Sequence, residues 1–132
     1  MGAMSNYLEQ ALLNMVFRNQ NYTRPSTVYV ALYTSDPTEA DTGTEVSGGS
    51  YARQAVTFGA PTQVGTAAQI ANSSDVVFPV ATANWGTITH VGIRDAATSG
   101  NLLYYAPVAN PRSILANDQL KFLAGELVLT LD

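Results

Sequence analysis

The 132-residue chain contains no cysteine. Disulfides, thiolate metal sites and cysteine nucleophiles are excluded at once. Charge is scarce: 12% of the residues are charged, about half the share of an ordinary globular domain. That balance excludes both a disordered segment and a solvated, charge-rich helical bundle. Cations are the scarcer sign, with six Lys and Arg against ten Asp and Glu and a net charge of −4. No basic face is available for a phosphate backbone, so no nucleic-acid partner is expected. No apolar run reaches the roughly 18–20 residues of a membrane span, so no membrane insertion is expected, and no signal peptide opens the chain. What is present is an apolar fraction of 46%. In a chain of this length that supplies one core and one domain.

Met1-Gly2-Ala3-Met4 reads as a cloning remnant followed by the natural start, so residues 1–3 are set apart and 4–132 form the single domain. One helix is predicted from Asn6 to Asn19. Asn6 and Glu9 match a capping box, and Leu8, Leu12, Met15 and Val16 recur at helical spacing on one side. Leu13 and Phe17 form a second apolar side that needs its own cover. Beyond Pro25 the chain reads as short strands between turns. Thr27–Thr34 is apolar on both faces and suits a central strand. Further strands are expected at 51–58, 67–71, 76–80, 87–95 and 102–106. Residues 120–123 and 126–131 are expected to form a closing hairpin, with Leu127, Leu129 and Leu131 on its core face. Six to eight strands at this spacing argue a mainly β fold, an antiparallel β-sandwich or small barrel with one N-terminal α-helix.

Catalytic and cofactor motifs are thin. His90 is the single histidine and lies mid-strand, where a packed side chain bonded to a neighbour is expected rather than a general base. Gly-x-Ser-x-Gly is absent, and a zinc site would need three carboxylates. Glu39, Asp41 and Glu45 are the densest acids, but they miss calcium-loop spacing and read as a solvated loop. Ser47-Gly-Gly-Ser50 lacks the lysine and following helix of a phosphate cradle and reads as a flexible connection. No cofactor and no metal is expected. The aromatic stock is Trp85 with Tyr29, Tyr33, Tyr51, Tyr104 and Tyr105. Exposed aromatics of this kind could stack on a sugar or anchor a protein neighbour. The candidate interaction surface is therefore Leu13, Phe17, Tyr29, Tyr33, Trp85 and Tyr104.

The segments Thr27-Val-Tyr-Val-Ala-Leu-Tyr33, Thr44-Glu-Val-Ser-Gly-Gly-Ser-Tyr-Ala-Arg53 and Trp85-Gly-Thr-Ile-Thr-His-Val-Gly-Ile-Arg-Asp95 resemble a family of small tailed-bacteriophage virion proteins, commonly labelled phage tail fibre proteins. Asn101-Leu-Leu-Tyr-Tyr105 and Gly125-Glu-Leu-Val-Leu-Thr-Leu-Asp132 resemble it as well. The resemblance implies a non-enzymatic structural part of a virion, made in the cytoplasm of the bacterial host. Shaft repeats are absent, so a compact tail-associated or capsid-decorating module is expected rather than a fibre shaft. Expected partners are copies of the chain itself, with three copies favoured by the resemblance, and other virion proteins. A receptor- or glycan-binding module at a fibre tip is the alternative. An enzyme ranks third.

Overall fold

A computed structural model describes residues 2–132. Its elements are β1 (Ala3–Met4), α1 (Asn6–Phe17), β2 (Val28–Tyr33), β3 (Gln54–Val56), β4 (Thr62–Val64), β5 (Ala67–Ala71), β6 (Val76–Val77), β7 (Gly86–Arg94), β8 (Leu102–Ile114), β9 (Lys121–Phe122) and β10 (Val128–Leu131). Every strand pairing is antiparallel. A five-stranded sheet runs β1-β8-β7-β2-β3, a three-stranded sheet runs β10-β5-β4, and β6 pairs with β9. The sheets are open, so the barrel alternative falls away and the antiparallel, mainly β fold with one N-terminal helix stands.

The main core lies between the large sheet and the two small ones. Val30, Leu32, Val91, Ile93 and Tyr104 come from the large sheet, and Val76, Phe78, Leu120 and Leu127 come from the facing side. β2 carries Val30 and Leu32 into this core and turns Ala31 and Tyr33 to the opposite face, where they pack with Leu102. Period-2 alternation of a strand apolar on both faces produces that division. Gly92 is required beside this second cluster: a Cβ there would lie 2.8 Å from both the Tyr33 ring and the Leu102 side chain.

Several expected boundaries move. The hairpin strand ends at Ile114, not at residue 106. Its register slips against β7 between Ile88 and His90. That bulge puts Ile88 into the same core as Val91 and Ile93, whereas strict alternation would place it with His90. The closing hairpin does not form. β9 pairs with β6, and β10 pairs with β5 through Leu129 opposite Ile70. Leu127 is buried, Leu129 is half-buried and Leu131 is 51% exposed, so the alternating leucines do not share one buried face. Ala3 belongs to the fold: it pairs with Tyr105.

Candidate interaction surface

The helix is fixed at its start and free along its outer side. Ser5, not Asn6, is the N-cap; its hydroxyl accepts from Leu8 N at 3.2 Å. The same hydroxyl donates to the Leu102 carbonyl, and Ser5 N donates to Leu103 O at 2.9 Å. Asn6 N donates to Glu39 O at 2.8 Å, which ties the first turn to the long loop. The helix ends at Phe17, before the expected Asn19, and Arg18 caps it while donating to the Asn14 side chain at 2.9 Å.

No residue of α1 is fully buried. Leu8 and Leu12 turn inward over a groove of about 330 Å³, which Val28, Phe58, Ile70 and Leu129 also line. Leu13, Val16 and Phe17 face outward, 58%, 61% and 78% exposed. Val16, assigned above to the inner side with Leu8 and Leu12, belongs with Leu13 and Phe17. The signal was available: residues three and four apart share a helix face.

The other members of the expected surface divide differently. Tyr29 is half-buried. Tyr33, Trp85 and Tyr104 are 1%, 5% and 6% exposed and belong to the interior, which corrects their placement on a surface. Trp85 sits in an aromatic cluster, 5.5 Å edge-on to Tyr51 and 6.4 Å from Phe78 between centroids. Its indole N–H donates to Gly49 O at 2.8 Å. Gly49 has φ of +58°, and a Cβ there would lie 2.9 Å from the indole nitrogen. The Ser47–Ser50 segment is thus the platform under Trp85, not a slack connection. Tyr104 reaches across the sandwich: its hydroxyl accepts from Thr130 N at 3.1 Å and donates to Thr130 O at 3.3 Å.

The loop acids are not simply solvated. Arg94 donates to both carboxylate oxygens of Asp41, at 2.9 and 3.0 Å, to the Tyr33 hydroxyl at 2.9 Å and to Gly100 O at 2.9 Å. Arg53 grips Glu45 through two bonds of 2.8 Å and continues to the carbonyls of Ala96 and Ser99. Tyr51 donates to Glu45 at 2.6 Å and accepts from Leu32 N at 3.0 Å. Burial alone would raise the Glu45 carboxyl, but the hydrogen bonds from Arg53 and Tyr51 outweigh it and hold it below its ordinary value. Burial, then the bond to Glu45, pushes the Tyr51 hydroxyl well up, so it remains a donor. These two clasps fold residues 35–50 back over the second face of β2. The cover that Tyr33 needs comes from the chain's own loop.

His90 lies where the sequence reading put it, a strand residue beside a neighbour: Nδ1 is 2.9 Å from Thr89 Oγ1, and Nε2 is 3.9 Å from Asp36. Sequence spacing gave no signal for the clasps, because Arg94 meets an acid 53 positions away.

Fold and surface define a small β-rich structural module. Two of its three densest acids are held by arginines, and its two most exposed large apolar side chains, Val16 and Phe17, stand together on one helix. The chain belongs to the family of the podophage GP4 fiber I protein gp80, which it matches over residues 3–130. It is a structural protein of the phage tail fibre class and a virion component. No curated protein matches it. Among the described residues no helix is long and apolar enough to cross a membrane.

Proposed function

We propose that this chain is a non-enzymatic, compact assembly module of a podophage fibre, acting through protein–protein contacts with copies of itself and with other virion proteins. One observation carries the reading: three large apolar side chains, Leu13, Val16 and Phe17, stand together in solvent on the outer face of α1. Stable monomers keep contiguous apolar patches small, and larger ones mark contact sites. A tail position is preferred to a capsid-decorating one because the family is a fibre family. The glycan-binding alternative rests on Trp85 and the tyrosines; Trp85, Tyr33 and Tyr104 are buried, and the Trp85 indole is engaged inside the fold. Antibody labelling of intact virions tests the proposal. Label on the tail, lost when Phe17→Asp is carried into the phage, is the expected outcome. A phage that assembles and infects normally without this chain would overturn it.

A further inference from the structure

We infer that residues 35–44 form a lid over Arg94, and that Asp41 fills from within a seat which takes an acidic side chain of a neighbouring virion protein when the lid lifts. The neighbour rests on the assembly reading above; the seat is a property of this chain alone.

The lid is a loop with a closed neck. Thr34 N donates to Thr44 O at 2.9 Å, and Thr44 N donates to Ser35 Oγ at 2.8 Å. Its own bonds hold its shape: Thr42 N donates to Pro37 O at 2.6 Å, Thr38 N donates to Asp36 Oδ1 at 2.9 Å, and the Thr38 and Thr42 hydroxyls meet at 2.8 Å. Its hold on the rest of the chain is slight. Eight of the ten residues are exposed, and only Pro37 is buried. Beyond the neck, Glu39 O accepts from Asn6 N, and Asp41 accepts from Arg94. Thr38 and Asp41 stand at φ of +58° and +59°, a left-handed backbone that strains a non-glycine residue and a β-branched one most. Few buried contacts mark a segment that opens before the core does.

What lies beneath is built without the lid. Arg94 comes from β7, and its side chain is 9% exposed. The Tyr33 hydroxyl and Gly100 O each accept one of its N–H groups at 2.9 Å, so residues outside the lid orient the guanidinium. The fork left over takes both oxygens of Asp41, the bidentate geometry that suits a planar carboxylate. Arg94 Nε is buried without an acceptor, so even the closed state leaves one donor unmet.

Charge fixes the occupant. A lifting lid strips Arg94 of its counter-ion, and a cation left unpaired among buried groups is costly. The open lid is therefore stable only when another carboxylate takes the fork. The seat already holds an aspartate carried on a tight, exposed loop, which defines the partner group: an acidic side chain on a protruding turn. Asp41 and that group compete for one arginine, so the closed lid is an inhibitory contact that a partner must outbid. Lifting it also uncovers Tyr33, an aromatic ring of the kind that anchors protein contacts.

Acetate probes the seat. In the Asp41→Ala chain, sodium acetate replacing sodium chloride at constant ionic strength should raise the melting temperature by about 2 °C or more at about 0.5 M. Wild type, its seat filled, should move less than half as far, and Asp41→Ala with Arg94→Met no further than wild type. The free peptide of residues 35–44 should act on Asp41→Ala at lower concentration than acetate, and its Asp41→Asn form should not. Circular dichroism identifies any variant that has failed to fold. An Asp41→Ala shift no larger than that of wild type overturns the seat; a peptide no better than acetate overturns the side-chain occupant. Hydrogen exchange of the wild-type chain probes the lid. The Asn6 amide, bonded to Glu39 O, should exchange about 10-fold or more faster than the Ser5 amide, bonded to Leu103 O, after correction for intrinsic rates and without dependence on low urea. Equal protection with the same urea dependence overturns the lid. Each of these failures leaves the assembly module standing, whereas a phage that assembles and infects without this chain removes the neighbour and not the seat.

Discussion

Tyr51 shows how one side chain can serve three neighbours. Its ring fills the aromatic cluster, its hydroxyl donates to Glu45, and the same oxygen accepts the Leu32 amide. Tyr51→Phe keeps the ring and orphans a buried amide, so it should cost about 1–3 kcal/mol in urea unfolding. Glu45→Gln should cost less at pH 3.5 than at pH 7. The Glu45 carboxyl is held below its ordinary value of 4.5 when folded. Its contribution is therefore fully present above about pH 4.5 and is lost as pH falls through the folded value. Urea melts across pH 3–7 should show the slope in the wild type and a flatter profile in the variant. None of this was legible in the sequence. Glu45 and Arg53 stand eight positions apart on either side of a glycine pair, and a charged loop read without its fold is indistinguishable from a solvated one.

At the level of elements, apolar periodicity located most of the structure. The helix and the strands at 28–33, 67–71 and 86–94 fall close to where alternation and capping residues put them. Failures cluster where tertiary contacts choose between equivalent local options. Ser5 and Asn6 are both good caps; Ser5 wins because its hydroxyl and amide also satisfy the carbonyls of Leu102 and Leu103. The residues around Ala124-Gly125 look like a hairpin turn, yet the strands on either side pair with β6 and β5 instead. This rearrangement also sets which leucine matters. Leu127→Ala should destabilise by about 2–4 kcal/mol, and Leu131→Ala, half in solvent, by well under 1 kcal/mol. Thermal denaturation of the two variants side by side checks the ranking; equal losses would contradict the pairing of β10.

On the scale of the whole molecule, fold class and family were legible, and the contact surface was legible only in its helical part. Leu13 and Phe17 were identified because a helix apolar on two sides exceeds what one sandwich can cover. Tyr33, Trp85 and Tyr104 were misplaced because aromatic residues beside turns look alike whether they anchor a neighbour or fill a core. The second face of β2 needs a cover, from the helix or from a neighbour; the chain's own loop supplies it, so the case for association rests on the helix. The mass of the purified chain should therefore rise with concentration, and Phe17→Asp should hold it at 14.0 kDa in light scattering.

The Tyr104 hydroxyl, bonded both ways to the backbone of Thr130, has a mechanical meaning. β10 belongs to the small sheet, whereas Tyr104 belongs to the large one. Tension applied at the end of β10 would peel it from β5 one rung at a time, a weak mode for a sheet. The tyrosine couples that rung to the stiff five-stranded layer, so the two sheets must yield together. In a pulling experiment from the C-terminal side, Tyr104→Phe should lower the rupture force and split a single event into two steps. A phage part that meets drag and collision would gain toughness from one oxygen atom.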